Sequence, residues 1–163
     1  MTEIESGKSR EMPHTHVYHI LLPVLFIFVW MLDTTFLKIS TFINVIVPLF
    51  IRISLSIGFF ILAFYLQNQA HKTLFSNNRP SGTLITTGIL AYIRNPMYLG
   101  IFLIYVAMLS LSISLLAFGV AVIAFLIYNK MVNFEEKELE KLFGQDFLDY
   151  KKKVPKWIPK LRI

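Results

Sequence analysis

The fold is decided by a long apolar stretch at residues 97–132, which reads MYLGIFLIYVAMLSLSISLLAFGVAVIAFLIYNKMV and whose only charge is Lys130. One straight helix of this length would measure about 54 Å, whereas the hydrocarbon core of a bilayer is about 30 Å thick. The serine-rich segment at residues 110–114 is the natural place for a break. The sequence therefore predicts a transmembrane helical hairpin of 97–110 and 114–132.

The composition of the 163-residue chain supports a membrane protein. Hydrophobic residues make up 55% of the chain and charged residues 16%, against roughly 25% charged in typical globular proteins. A soluble domain of this size could not bury so much apolar surface in one core. The chain has no cysteine, which excludes disulfides, thiolate zinc sites and thiol nucleophiles. We therefore expect an all-α membrane protein.

Two further apolar stretches precede the hairpin. A polar tail covers residues 1–16, and N-terminal transmembrane helices are predicted within 17–66, from apolar runs at 17–32 and 42–66. With the hairpin this makes four spans, or five if 36–66 splits at Pro48. Two interpretations of Arg52 stay open, because a charge inside a membrane is costly. It lies near a helix end and reaches the interface, or it faces a polar cavity in the bundle.

The distribution of basic residues predicts the orientation. Nine of the sixteen Lys and Arg residues lie from Lys130 onward, and the 67–96 interval holds three with no acidic residue. A hairpin that crosses twice places both regions on one face, which the positive-inside rule makes cytoplasmic. Four spans would put the N-terminus there as well, and five would not. Nucleic-acid binding is disfavoured, because these lysines flank spans and lack interleaved stacking aromatics.

The chain becomes amphipathic after the hairpin. Leu139, Leu142, Phe143 and Phe147 recur at helical spacing among charged residues, which predicts an amphipathic helix over 134–150 at the membrane surface. Three lysines at 151–153 end it, and the prolines that follow prevent further helix.

The first cluster of residues that could bind a ligand or take part in catalysis lies at the entrance to the hairpin. Pro96 suits the first turn of a helix, and Asn95 before it could cap that helix, leaving backbone N–H groups for an anion. Arg94 adds a forked donor suited to a carboxylate. The alternative is a capped helix with an arginine at the lipid head groups.

The second cluster is the acidic pair Glu135 and Glu136. It could hold a cationic group such as an ammonium, or it could simply begin a helix, where acids favour the dipole. The predicted topology brings both clusters to one membrane face beside a cavity. A zwitterionic, amino-acid-like ligand would satisfy both.

These residues resemble a known family. Residues 79–88 (RPSGTLITTG) and 94–100 (RNPMYLG), followed by the acidic pair, Leu139, Phe143, Gly144, Tyr150, Val154 and Pro155, are similar to the integral-membrane methyltransferases. That group includes isoprenylcysteine carboxyl methyltransferase and the phospholipid N-methyltransferases. The resemblance covers about 79–163.

The resemblance implies that S-adenosylmethionine binds between the two motifs, in a methyltransferase-like region at 67–163, and that a lipid-soluble acceptor enters from the bilayer. The acceptor would be a prenylcysteine-like carboxylate or a phospholipid amine. The implied catalytic residues are Arg94, Tyr98 and Glu135. The implied cofactor-binding residues are Thr83, Leu84, Ile85, Asn95, Pro96, Met97, Tyr98, Glu135 and Glu136.

The chain departs from the family pattern at three positions. Asn95 stands where the isoprenylcysteine enzymes have histidine, although the bacterial branch often has asparagine there. Leu90 replaces an expected tyrosine, and Met131 replaces a substrate-contacting arginine, with Lys130 beside it as a candidate substitute. These differences concern the acceptor more than the cofactor.

Two other functions remain as hypotheses. Membrane sterol reductases resemble this family in their C-terminal helices and bind NADPH there, and a non-enzymatic membrane interaction protein would bind neither cofactor. A metal site is not predicted, because the nearby histidines His14, His16 and His19 lack a carboxylate or cysteine to complete a ligand set.

Overall fold

The computed structural model describes residues 15–75 and 82–159. Its five α-helices are α1 (Thr15–Met31), α2 (Leu49–Leu74), α3 (Pro96–Leu111), α4 (Leu115–Phe143) and α5 (Gln145–Lys153). A π-helical turn, Leu32–Leu37, extends α1, and short 3₁₀ turns occur at Phe42–Val45 and Gly88–Ala91. Residues 1–14 of the predicted 1–16 tail and the first motif residues, 79–81, lie outside the described part, whereas Thr15 and His16 belong to α1.

The helices confirm the predicted all-α membrane class. Within the described residues, three helical segments are long and apolar enough to cross a bilayer: Thr15–Leu37, Leu49–Leu74 and Leu115–Phe143. The apolar helix α3 has 16 residues, about 24 Å at 1.5 Å per residue. The chain is a multi-pass membrane protein.

Ring contacts along α1 show how the helices run. His19 lies beside Tyr98, Phe26 stacks on Tyr105, and the Trp30 indole donates to the Ser112 carbonyl. Helix α1 is therefore parallel to α3 and antiparallel to α4. One end of the bundle, here named the tail end, holds the start of α3 and the last turns of α4. The opposite end, the turn end, holds residues 38–48 and the 112–114 turn.

Helix α2 packs closely on α3 because small residues face it. A Cβ added to Gly100 would lie 2.9 Å from Cγ of Gln67. Gly88, just before α3, has a φ of +61°, and its added Cβ would meet Oγ1 of Thr73 at 2.6 Å. Ala63 and Ala70 are fully buried. This approach fixes the segment 82–95 against α2.

Two predicted boundaries are wrong. The amphipathic helix at 134–150 does not exist as one unit: α4 continues to Phe143, Gly144 with φ +53° ends it, and α5 follows. Helix α2 continues to Leu74, into the predicted polar interval. The alternative of five spans, with 36–66 split at Pro48, does not match the helices, because Pro48 immediately precedes α2, where a missing N–H costs little.

The turn end is held by a buried carboxylate. Asp33 is fully buried and accepts from the Ile39 and Ser40 amides and from the hydroxyls of Ser40 and Ser114. These four donors fill the acceptor sites of the carboxylate. The helical segment therefore continues past Asp33 to Leu37, although the predicted apolar run ends at residue 32.

Arg52 also serves the turn end. It lies in the first turn of α2 and donates to the carbonyls of Val47, at 3.1 Å, and Leu111, at 3.0 Å. Its position agrees with the helix-end interpretation of this residue rather than with a cavity inside the bundle.

Candidate functional site

The two predicted clusters touch directly. Nε of Arg94 donates to Oε1 of Glu136 at 3.0 Å, and the exposed fractions of the two side chains are 10% and 8%. The second guanidinium nitrogen donates to the carbonyls of Lys151, at 2.8 Å, and Val154, at 2.9 Å. The carboxylate that the Arg94 fork binds is thus one from this chain, and the same fork ties α4 to the C-terminal segment.

Asn95 takes part in this junction instead of capping α3. Its side chain makes no capping hydrogen bond, so the prediction of an Asn95 cap is wrong. Nδ2 donates to Oε1 of Glu136, at 3.3 Å, and to the Lys156 carbonyl, at 3.4 Å. Pro96 does occupy the first turn. Glu136 lies well inside α4, which rules out the alternative in which the acidic pair begins a helix.

Tyr98 and Glu135 form the second contact between the clusters. The Tyr98 hydroxyl donates to Oε1 of Glu135 at 2.6 Å. The rings of Tyr98, Tyr128 and His19 form a triangle in which each pair of centroids is 5.6 Å apart. Sequence reasoning missed His19 and Tyr128, since no local pattern signals a contact across 79 or 30 residues.

A cleft lies on the other side of Arg94. Its inner part, about 210 Å³, is lined by the predicted residues Thr83, Leu84 and Ile85 together with Arg94 and apolar side chains of α4 and α5. Its outer part, about 630 Å³, shares Thr83 and Leu84 and is flanked by the acids Asp146 and Asp149. Together the parts reach the size of typical small-molecule sites, about 300–1,000 Å³.

The floor and rim of the cleft differ in electrostatics. The Tyr150 hydroxyl donates to the Leu90 carbonyl at 2.7 Å, and burial raises the pKa of Tyr150 to about 12. At the exposed rim, hydrogen bonds from Lys152 and Gln145 lower the pKa of Asp149. The cleft therefore joins an apolar floor to a rim that carries charges of both signs, because Lys153 lines it beside Asp146 and Asp149.

The predicted site residues thus fall into two adjoining groups. Thr83, Leu84 and Ile85 line the cleft, and Asn95, Tyr98, Glu135 and Glu136 form the hydrogen-bonded cluster, with Arg94 belonging to both. Pro96 is buried beside them. Met97 is 38% exposed, and its carbonyl accepts from Gln67 at 3.4 Å.

An apolar groove of about 500 Å³ runs between α3 and α4, away from the cleft. At its tail end, Nζ of Lys156 donates to the side-chain oxygens of Asn129, at 2.6 Å, and Asn133, at 2.8 Å. Burial lowers the pKa of Lys156. No pattern in the sequence predicts this position of Lys156, because the described residues after α5 have no regular secondary structure.

Comparisons with known proteins support the predicted resemblance. A family model described as phospholipid methyltransferase matches residues 51–146. The chain is 30% identical over 161 residues to a protein-S-isoprenylcysteine O-methyltransferase of Dictyostelium discoideum, covering 94% of this chain and 65% of that protein. It is 30% identical over 115 residues to the enzyme of that name from Schizosaccharomyces pombe, covering 64% and 48%.

A solved structure shares the fold. It is that of the eukaryotic intramembrane Ras methyltransferase, isoprenylcysteine carboxyl methyltransferase, with a TM-score of 0.65 and 22% identity over 91% of this chain and 54% of that one. The chain spans less than two thirds of the length of each of these relatives.

Proposed function

The chain belongs to the phospholipid methyltransferase family, and we propose that it is a membrane methyltransferase that uses S-adenosylmethionine to methylate a lipid-soluble acceptor. The observation that carries this proposal is the direct contact at the tail end between the 94–100 motif and the acidic pair Glu135 and Glu136. Arg94 binds Glu136 and Tyr98 binds Glu135, beside a cleft lined by Thr83, Leu84 and Ile85.

The chemistry of the cleft fits this cofactor. Leu84, Ile85, Leu139 and Phe143 offer apolar surface for a nucleobase. Glu135, in the neighbouring hydrogen-bonded cluster, is an acceptor for a cationic group, and the rim carries Asp146 and Asp149 together with Lys153. When bound, S-adenosylmethionine supplies a methyl group on a positively charged sulfur that is already a good leaving group. An apolar cleft next to the Glu135 carboxylate suits such a cation.

The protein's part is to position the reactants and exclude water. Holding two reactants in line can supply roughly 7–11 kcal/mol of the barrier. Arg94 contributes as a positioning residue, because its guanidinium already binds Glu136 and two carbonyls. Tyr98 and Glu135 remain the residues that we expect to contact the cofactor.

We propose a carboxylate as the methyl acceptor. A carboxylate nucleophile needs no base, whereas an amine must first lose a proton. The relatives named above are O-methyltransferases of isoprenylcysteine, which favours the same class. We further propose that the tail end faces the cytoplasm, since Lys151, Lys152 and Lys153 lie there.

The test is transfer of a radiolabelled methyl group into a lipid fraction by membranes that contain the full chain. Glu135→Gln removes the negative charge, and Tyr98→Phe removes its hydrogen bond. We expect activity to fall by about 100-fold and about tenfold respectively, the size of lost transition-state contacts.

The matched control is Glu138→Gln, on the same helix, where the side chain pairs only with Lys141 within the described part of the chain. Its activity should equal that of the unchanged protein. Full activity of Glu135→Gln and Tyr98→Phe would contradict the residue assignment, and the absence of any methyl transfer by the unchanged chain would contradict the function.

A further inference from the structure

Residues 36–48, here named the turn-end loop, connect α1 to α2 and expose apolar side chains where a loop in water would carry polar ones. Phe36, Ile39 and Phe42 are 77%, 68% and 59% exposed. Val45 and Ile46 are 91% and 77% exposed. An apolar surface of this kind marks contact with a membrane or with another protein.

The polar side chains of the turn-end loop point inward, onto the turn between α3 and α4. The Ser40 carbonyl accepts from the Leu115 amide at 3.3 Å. Oδ1 of Asn44 accepts from the Ile113 amide at 2.8 Å, and its Nδ2 donates to Oγ of Ser112 at 3.0 Å. Irregular backbone occurs at membrane depth only where the protein itself satisfies its polar groups. With polar groups inside and apolar groups outside, the loop suits hydrocarbon better than water.

The lengths of the helices place this turn inside the bilayer. Helix α3, Pro96–Leu111, is about 24 Å long, and the first amide or charged side chain of α4, Asn129, is about 21 Å from Leu115. The hydrocarbon core is about 30 Å thick, so with the tail end at one interface the turn lies about 6–9 Å short of the other. The segments Thr15–Leu37 and Leu49–Leu74 are long enough to cross, which favours a bilayer of ordinary thickness over a thinned one.

Two cations accompany the apolar side chains of the turn-end loop. Lys38 is exposed, and Arg52 is half-buried and uses two of its five donors on the carbonyls of Val47 and Leu111. The only acid from residue 32 to residue 52 is the fully buried Asp33. Long basic side chains beside an apolar surface reach out to lipid phosphates. The loop therefore has the composition of a segment that inserts among phospholipids.

We propose that the turn-end loop is inserted into the leaflet opposite the tail end. Acyl chains surround Phe42, Val45 and Ile46, and lipid phosphates pair with Lys38 and Arg52. The loop occupies the depth that α3 and α4 leave unfilled, so it holds the short hairpin at a fixed level and keeps the tail end at its own interface. The occupant of this surface is the lipid leaflet, rather than water or a second copy of the chain. The proposal does not depend on methyl transfer.

The test uses single cysteines, because the chain has none of its own. The full chain with Val45→Cys is reconstituted in phosphatidylcholine nanodiscs, which leave both faces open, and is treated with a charged, water-soluble maleimide. The controls are Ile123→Cys, 56% exposed on α4 within the span, and Lys141→Cys, whose native side chain is 73% exposed at the tail end. The reactive thiolate is disfavoured in hydrocarbon. We expect Val45→Cys and Ile123→Cys to react about 100-fold more slowly than Lys141→Cys.

A second measurement identifies what covers the loop. A fluorophore on Val45→Cys should be quenched by phospholipids that carry a nitroxide near the head group, and less by those that carry it near the end of the acyl chain. The order should reverse for Ile123→Cys, in the middle of α4. Labelling of Val45→Cys as fast as that of Lys141→Cys would place the loop in water and overturn the proposal. Slow labelling without quenching by either lipid would show a second copy or another protein on the loop, and would overturn it as well.

Lipid thickness and the cation test the depth of the loop. In phospholipids with shorter acyl chains, labelling of Val45→Cys should become about tenfold faster, because the far interface then approaches the turn. Ile123→Cys should stay protected. An unchanged rate for Val45→Cys would overturn the depth derived from the helix lengths. Lys38→Cys, on the same loop, should react about tenfold faster than Val45→Cys in the ordinary lipid, and equal slow rates would overturn the placement of Lys38 at the phosphates.

Discussion

The two ends of the bundle each bury a carboxylate, but they saturate it differently. At the turn end, two amides and two hydroxyls bind Asp33 and fill all four acceptor positions. At the tail end, Glu136 is neutralised by Arg94, and Glu135 binds Tyr98 beside a cleft. At the turn end every acceptor position of the carboxylate is occupied, whereas the tail-end cluster lies between the cleft and the apolar groove.

The difference teaches where chemistry can occur in this fold. A carboxylate whose lone pairs are all occupied by donors of the protein itself has no remaining capacity for a ligand. The tail-end cluster instead draws its partners from α3, α4 and the C-terminal segment, and cavities flank it. Changes at the turn end should therefore affect stability alone, and changes at the tail end should affect both stability and function.

Asp33→Ala should have the largest effect on stability. It would leave two buried hydroxyls and two amides without their acceptor, and each such group costs about 1–3 kcal/mol. We expect the free energy of unfolding to fall by about 4 kcal/mol, measured by denaturant titration in detergent. Thr35→Ala, which removes an exposed hydrogen bond to Met31, is the control. A similar small loss of stability for both variants would show that the hydrogen bonds to Asp33 contribute little to the free energy of unfolding.

Arg94→Met should have the second largest effect on stability. Removing one partner of a buried ion pair leaves the other charge uncompensated, at a cost of about 3–5 kcal/mol, and we expect about 3 kcal/mol because Asn95 still donates to Glu136. Combining it with Glu136→Leu should restore part of the loss, since no buried charge then remains. If the losses from the two single variants simply add, the pair is not coupled. Methyl transfer should stay low in the double variant.

The sequence predicted the parts of the fold that depend on local pattern. The apolar run with its central serines indicated the α3–α4 hairpin, and the topology predicted that the residues around Arg94 and the acidic pair share one membrane face. The Arg94–Glu136 contact shows that they do. The family motif directed attention to Thr83, Leu84 and Ile85, which line the cleft.

The rest of the fold and of the candidate site depends on contacts between residues that are far apart in the sequence. One of the four donors that bind the buried Asp33 comes from Ser114, 81 residues later. Helix α4 continues past residue 132, where the hairpin was predicted to end, and Arg94 and Tyr98 bind the two acidic side chains of the added turns. His19 and Lys156 reach the tail end from outside the motifs, and local patterns carry no information about such packing.

Gly88→Ala should show a smaller effect. A φ of +61° is unfavourable for alanine, and its Cβ would lie 2.6 Å from Oγ1 of Thr73. Strain of roughly 1 kcal/mol plus the close contact should cost about 2 kcal/mol. Thr73→Ala in the same chain removes the contact, so the double variant should keep only the strain. Equal free energies of unfolding for Gly88→Ala and the unchanged protein would show that residues 82–95 are not held rigidly against α2.

Tyr150→Phe should have the smallest effect at neutral pH and a distinctive one in alkali. Losing the hydrogen bond to Leu90 should cost about 1 kcal/mol. Burial raises the pKa of Tyr150 from 10.0 to about 12 in the folded chain, so its contribution is fully present below pH 10 and is lost as the pH rises toward 12. The unchanged protein should therefore lose about 1 kcal/mol more than Tyr150→Phe between pH 9 and pH 11. If the free energies of unfolding of the two proteins fall in parallel as the pH rises, water reaches the Tyr150 hydroxyl. Because the Tyr150 ring also lines the cleft, that result would contradict the apolar floor proposed for the cofactor.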